Sequence, residues 1–326
     1  MRAPEFWNKN KSSWQAAALT PLAWAYQLGH RLRYLTSKSI KIDIPVACVG
    51  NVTAGGSGKT PVAIDIARHM ALRKMAVHFL SRGYGGNHKG APLRVDSTKH
   101  TAQRVGDEPL MLARNATTWV SPNRIAGAKA AIAGGADLII MDDGFQNPTL
   151  VKDLSILVFD GEYGIGNGAL LPAGPLREPL AEALSRAHGA VVIGRDCHGI
   201  STTLSSTIPV FTAQFVPCNN IGDKERPVIA FAGIGRPEKF FSSLRSAGYH
   251  IAAHYAFPDH HRYTSSELTN LHSKSRKHGA QLMTTEKDFM RLETNAREGI
   301  TPFFITLEWF DKEAFATFLD HQLRAY

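Results

Sequence analysis

Cysteine is scarce in this chain. Cys48, Cys197 and Cys218 are the only three in 326 residues, and no two form a CxxC pair. That pattern excludes a disulfide framework and a structural zinc cluster, and fits a reducing compartment. No uninterrupted apolar run reaches the roughly 20 residues of a spanning helix. No early apolar core with a small-residue cleavage site marks a signal peptide. Neither a repeat of roughly 20–50 residues nor a low-complexity tract is present. His260 and His261 are adjacent, a poor spacing for two metal ligands on one helix face. Acidic residues are outnumbered, 28 against 37 Lys and Arg, so the formal net charge is +9. Such an excess suits an anionic partner: nucleotide, nucleic acid or an acidic membrane surface. With 44% hydrophobic and 20% charged residues the chain is globular, not disordered. Its length accommodates one large or two modest domains.

One stretch also lacks charge altogether, from Ser12 to Gly29. It contains Trp14, Leu19, Leu22, Trp24, Tyr26 and Leu28, but also Ser12, Ser13, Gln15, Thr20 and Gln27, too polar for a transmembrane helix. Thr20 can cap a helix with Pro21 at its first position. Leu22, Ala25, Tyr26, Leu32 and Leu35 then form a stripe, with Arg31, Arg33, Lys38 and Lys41 nearby. Two readings stand open: a helix lying on a membrane, or one covering the protein's own core.

What is present is organised around residues 46–61. A short apolar strand, Val46–Val49, runs into Gly50-Asn-Val-Thr-Ala-Gly-Gly-Ser-Gly-Lys-Thr-Pro61, and an apolar-periodic helix follows (Val62, Ile64, Ile66, Ala67, Met70). Strand, glycine-rich loop and helix in that order make a phosphate cradle. Gly55 and Gly56 give the loop its freedom, since Thr53 stands where the first glycine is usual. Backbone N–H groups of Thr53–Thr60 wrap the phosphates, Lys59 reaches the β- and γ-phosphates, and the Thr60 hydroxyl suits Mg²⁺.

The second strong signal is the apolar strand before Asp142-Asp143-Gly144-Phe145-Gln146. A carboxylate at a strand tip downstream of a P-loop is what holds Mg²⁺ in such sites. The residues leave open whether Asp142 or Asp143 is the direct ligand. The strand Ala76–Leu80 ends at Ser81-Arg-Gly-Tyr-Gly-Gly86, where Arg82 and Tyr84 can contact a phosphate or sugar. Asp107 and Glu108 open a helix, either as complements to its dipole or as a base and its neighbour. The Gly- and Pro-rich loop 164–179 contributes Arg177 and Glu178. Alternating strands and helices predict an α/β fold: a P-loop NTPase-like parallel sheet domain, a second, smaller α/β domain and an N-terminal apolar helical segment. The expected division is 1–41 for that segment, 42–200 for the P-loop domain, 201–226 for a connector and 227–326 for the smaller domain. The last helix is left free to pack back on the first domain.

Taken together, the long loop 50–61, Ser81–Tyr84, Gly106-Asp-Glu-Pro109, Asp142–Gln146, Leu171-Pro-Ala-Gly-Pro-Leu-Arg-Glu178, Asp259-His260 and Thr284-Thr-Glu-Lys-Asp288 resemble the tetraacyldisaccharide 4′-kinase family, the lipid A 4′-kinases of Gram-negative bacteria. The resemblance runs nearly the whole chain. It implies transfer of the γ-phosphate of ATP to the 4′-hydroxyl of a tetraacyldisaccharide 1-phosphate, giving lipid IVA. It implies two α/β domains working at the cytoplasmic face of the inner membrane, with the N-terminal segment on an anionic membrane surface. It implies ATP and Mg²⁺, but no nucleic acid and no protein partner. By the same resemblance Asp107 is the general base and His260 orients it across the cleft. Lys59 and Arg177 handle phosphates, Asp142 and Asp143 join them in catalysis, and Thr60, Asp142, Gln146 and Glu178 organise the metal. The loop Thr53, Ala54, Gly55, Gly56, Ser57, Gly58, Lys59 and Thr60 binds the nucleotide, and Asn51, Arg82, Tyr84 and Glu108 face the substrate. Two rivals carry different chemistry. A metal-loading GTPase shares the GGxGKT form but often needs an Asn-Lys-x-Asp element, absent here. A non-enzymatic nucleic-acid module would suit the charge without needing Asp107, Asp142 and His260 together.

Overall fold

Nine strands form one sheet in the order β13-β8-β7-β6-β1-β5-β2-β4-β3. In chain order they are β1 (Val46–Gly50), β2 (Val77–Ser81), β3 (Leu93–Arg94), β4 (Thr117–Val120), β5 (Leu138–Asp142), β6 (Leu154–Asp160), β7 (Gly189–Ile193), β8 (Val210–Pro217) and, far downstream, β13 (Ile305–Trp309). The computed structural model describes residues 4–8, 13–218 and 222–323. Parts of the expected N-terminal segment (1–3, 9–12), connector (219–221) and C-terminal unit (324–326) lie outside the described residues.

All pairs from β8 to β4 are parallel; only the edge pairs β13–β8 and β3–β4 are antiparallel. Every residue of β1, β5, β6 and β7 is buried. That is why these strands read as continuous apolar runs: helices cover a parallel sheet on both faces. Alternation along β1 divides the core. Ala47 and Val49 point to the face packed by Val62, Ile66 and Met70 of helix Lys59–Leu72. Val46 and Cys48 point to the face packed by Ala128 and Ala131 of helix Arg124–Ala133.

A second sheet, β10-β9-β11-β12, is wholly parallel: β9 (Val228–Ala232), β10 (Ile251–Ala256), β11 (Gln281–Thr285) and β12 (Ile300–Phe303). Phe240, Phe241 and Leu244 of helix Pro237–Ser246 pack on one face, and Leu268 and Leu271 of helix Ser265–Lys277 on the other. Thr264 caps the latter in a full capping box with Glu267.

Two readings of the chain's organisation differ from the structure. The stretch 201–226, expected as a connector, carries most of helix Ile200–Ser205 and all of β8, a member of the large sheet. The polar, weakly apolar pattern that suggested a linker belongs to a strand whose residues are mostly half-buried. The chain then returns: β13 pairs with β8, and Phe315, Leu319 and Leu323 of helix Lys312–Leu323 join the core under the P-loop helix.

The N-terminal helix spans Trp14–Thr36, not from Pro21. Ser13 caps it by accepting from the Ala16 N–H, and Pro21 sits inside it. A proline there removes a single backbone donor, and the helix continues around it. Ala23 is its one buried residue among those described, while Trp14, Leu22, Trp24, Leu28, Leu32 and Leu35 are exposed. The helix therefore does not cover the core. Its docked side uses polar contacts: Arg31 to Glu182, and Tyr34 to Arg186. No described helix is long and apolar enough to cross a membrane.

Candidate active site

The carboxyl end of β1 turns into the loop Asn51–Gly58, and helix Lys59–Leu72 starts from it. Gly58 is fixed by geometry: its φ is 88°, and a Cβ would lie 2.6 Å from Ile193 Cδ1 and 2.8 Å from Phe215 Cζ. Only glycine meets both conditions. Leu176 bridges antiparallel to Thr53, the Ala54 N–H donates to Pro175 O (2.7 Å), and the Arg177 N–H donates to Val52 O (2.7 Å). The loop 169–179 is thus a wall of the phosphate cradle.

Lys59 Nζ donates to Asn51 Oδ1 at 3.1 Å and lies 3.6 Å from Asp143 Oδ1. Asp143 adopts φ 57° and also accepts from Arg177 Nη1 at 2.9 Å. Burial alone would raise its pKa, but Lys59 and Arg177 outweigh that and hold it below the usual carboxylate range. Beneath them, Thr60 Oγ1 donates to Asp142 Oδ2 at 2.8 Å. Asp142 Oδ1 is buried with no hydrogen-bond partner, and so is Ser57 Oγ. Burial, then the Glu108 charge, push the Asp142 carboxyl above its ordinary range. A buried carboxylate oxygen without a donor, beside a hydroxyl, suits a hard divalent cation that keeps other positions for phosphate and water. Among the described residues no cluster of three or more His, Cys, Asp or Glu side chains forms a dedicated metal cage. Mg²⁺ carried on nucleotide phosphates fits this donor set.

A second cluster assembles around Asp107. Gly106, at φ 93°, brings its Cα so close to Tyr84 O that a Cβ would lie 2.5 Å away. This tight entry places Asp107, 3% exposed, at the start of helix Asp107–Ala113. Arg291 grips Asp107 Oδ2 with Nε (3.0 Å) and Nη2 (2.6 Å). His260 Nδ1 lies 3.6 Å and Lys287 Nζ 3.7 Å from the same oxygen. Burial would raise the Asp107 pKa, but His260, Lys287 and Arg291 overcome it and hold the carboxyl well below the usual range. Lys287 also donates to Glu108 at 3.0 Å. His260 itself sits at φ 59°, its N–H bonded to Gly233 O, and the Tyr84 ring meets it edge-on at 5.5 Å.

The structure thus joins Lys59, Thr60, Asp142, Asp143 and Arg177 in one network and Asp107, Glu108, His260 and Tyr84 in another. The Glu108 charge acting on Asp142 links them. Arg82 is exposed at the rim. One expectation differs from the structure. Asn51, expected to face substrate, is fully buried: its Nδ2 donates to Thr53 O (2.6 Å) and its Oδ1 accepts from Lys59. It shapes the loop from beneath. Gln146 and Glu178, expected at the metal, border the Asp143–Arg177 pair: Gln146 Oε1 accepts from Arg177 Nη1 at 3.5 Å. Gln146 Nε2 donates to Asn51 O (2.8 Å) and Glu178 Oε1 (3.0 Å), and Glu178 Oε2 pairs with Arg186.

Arg291, Lys287 and Asp288 were missed as site residues. The polar tip Thr284–Asp288 was the available signal, and Arg291 lies three residues on, the same helix face.

The family model described as tetraacyldisaccharide-1-P 4′-kinase matches residues 15–324. The chain belongs to this family. The kinase is 49% identical over 298 residues to the tetraacyldisaccharide 4′-kinase of Parvibaculum lavamentivorans, covering 90% of this chain and 87% of that one. It is 46% identical over 321 residues to the protein of the same name from Gluconacetobacter diazotrophicus, covering 98% of each. A crystal structure described as the "apo" form of LpxK from Aquifex aeolicus in complex with ATP is similar at a TM-score of 0.77 and 28% identity. The match covers 94% of the kinase and 99% of that chain. The α/β architecture and the lipid kinase activity implied by the sequence motifs follow from this membership, and the metal-loading GTPase reading finds no support.

Proposed function

We propose that the two clusters divide the 4′-kinase reaction between them. Loop N–H groups of Ala54–Thr60 and Lys59 hold the ATP phosphates, and Arg177 meets the charge that grows on the transferring group. Thr60 and Asp142 would hold Mg²⁺, which would supply charge neutralisation at the ATP phosphates. Asp107 accepts the proton of the 4′-hydroxyl as that oxygen bonds to the γ-phosphorus and the bond to the ADP oxygen breaks. His260 steadies Asp107 and takes up part of its charge change. ADP and the 4′-phosphorylated lipid leave.

The observation that carries this reading is Thr60 and Asp142 in contact at 2.8 Å with Asp142 Oδ1 buried and unpartnered. The test is transfer of radiolabelled phosphate from ATP to a tetraacyldisaccharide 1-phosphate in detergent micelles, with Lys59→Ala alongside. Labelled lipid from the wild type and none from the variant is the expected result. ATP hydrolysis without labelled lipid sinks the lipid-acceptor assignment.

We further propose that the enzyme meets its acceptor at an anionic membrane surface, the cytoplasmic face of the inner membrane. The exposed Trp14, Leu22, Trp24, Leu28, Leu32 and Leu35 on one helix, beside Arg31 and Arg33, support an interfacial helix that lies on the bilayer. No nucleic acid or protein partner is needed for the reaction.

A further inference from the structure

Asp107 does not stand with His260 alone. Arg291 closes on it from helix Glu286–Arg291 with two nitrogens, Nε at 3.0 Å and Nη2 at 2.6 Å, both on Oδ2. Its third nitrogen, Nη1, donates to Asp288 Oδ1 (2.7 Å) and Gly233 O (2.6 Å). The side chain is 6% exposed. Asp288, fully buried, accepts also from Tyr263 Oη (3.0 Å), the Gly233 N–H (3.0 Å) and Thr285 Oγ1 (2.6 Å). The guanidinium is therefore clamped on one side and clamps Asp107 on the other. Nη2 also lies 3.4 Å from His260 Nδ1.

We propose that Arg291 is the positioning residue of the Asp107 base: it fixes Oδ2 through two nitrogens, so that Oδ1 is the oxygen that receives the hydroxyl proton. The proposal rests on Asp107 being the base. Two N–H groups of the planar guanidinium converge on the one oxygen and fix its direction, which a lysine ammonium does not. His260 and Lys287 reach the same Oδ2 from greater distance, and both Arg291 hydrogen bonds fall on Oδ2. A carboxylate free to rotate would present either oxygen and lose its aim at the acceptor. Displacements of about 1 Å in such groups cost about 100-fold in rate.

The groups facing Asp107 are Arg291 and Lys287 from one helix, His260 with Asp259 behind it, and Glu108 on its own helix. Removing Arg291 leaves burial less opposed, so the carboxyl titrates at higher pH than in the wild type. The experiment measures kcat and KM for ATP of the full-length enzyme from pH 5 to 8 for wild type, Arg291→Ala, Arg291→Lys and Asp107→Ala. Arg114→Ala serves as control, since Arg114 pairs with Glu286 at the same interface without touching Asp107.

The expected result for Arg291→Ala is a kcat loss of about 100-fold, with KM for ATP near wild type. The wild-type-to-variant kcat ratio grows as pH falls, and added methylguanidinium recovers part of the turnover. Arg291→Lys falls between the two, and Arg114→Ala keeps a flat ratio. A flat ratio in Arg291→Ala, or a variant as active as wild type, overturns the proposal. Should the alanine variant fail to fold, Arg291→Lys decides, with wild-type kcat across the range as the overturning result. An Asp107→Ala enzyme that still turns over sinks the base assignment instead, which separates the two failures.

Discussion

The Thr60 hydroxyl donates to Asp142 across 2.8 Å, tying the first turn of the P-loop helix to the tip of β5. The tie leaves the other Asp142 oxygen buried and unsatisfied. A carboxylate in that condition costs stability until a cation reaches it.

Asp142→Asn separates stability from activity. In the wild type without nucleotide or metal, Asp142 has a raised folded pKa. Its native state therefore binds more protons than the unfolded chain above about pH 4, and stability falls as pH rises towards the folded value. The wild-type Tm should drop more than the variant's between pH 5 and 8, and MgATP should narrow the difference. Turnover should fall at least about 100-fold. Parallel Tm curves for the two proteins would contradict this account.

Asp107 carries the opposite sign. Its folded pKa is depressed, so its stabilising contribution is present above the unfolded value of about 3.9 and is lost as pH falls through the folded one. Asp107→Asn should therefore flatten the acid limb of a stability titration. It should also lose about 10²–10⁴ of kcat while binding ATP normally, as isothermal calorimetry would read.

Gly58→Ala should be more damaging than its size suggests. The left-handed backbone costs an alanine about 1–2 kcal/mol, and its methyl would meet Ile193 and Phe215. Weakened ATP affinity of at least about tenfold and a lowered Tm are the outcome. Gly55→Ala has open space around its Cβ position and isolates the backbone part of the effect.

Replacing Leu22, Trp24 and Leu28 by serine should leave Tm unchanged, because none of the three is buried. Sedimentation with vesicles containing anionic phospholipid should show weaker binding than for the wild type. Equal binding would remove the helix from membrane association.

Much was legible from local pattern alone. The P-loop and the strand ending at Asp142 are short-range signals, because their residues act on backbone a few positions away. The alternating order of strands and helices made the parallel sheet readable for the same reason. The contacts that Asn51, Gln146 and Glu178 make were not readable. Each depends on partners more than five positions distant, Lys59, Asn51 and Arg186 among them.

The sequence by itself determined the chemistry available: a lysine and threonine on a phosphate loop, strand-tip aspartates, and an Asp–His pair held in separate segments. Tertiary structure decided which of them meet. Loop 169–179 became a wall of the cradle through hydrogen bonds to Val52 and Ala54, and β13 returned to the large sheet. Arg291 reached Asp107 across 184 positions of chain. Periodicity and propensity act over a few residues, whereas the pairing of a buried carboxylate with its guanidinium is fixed only when helix Asp107–Ala113 and helix Glu286–Arg291 pack together.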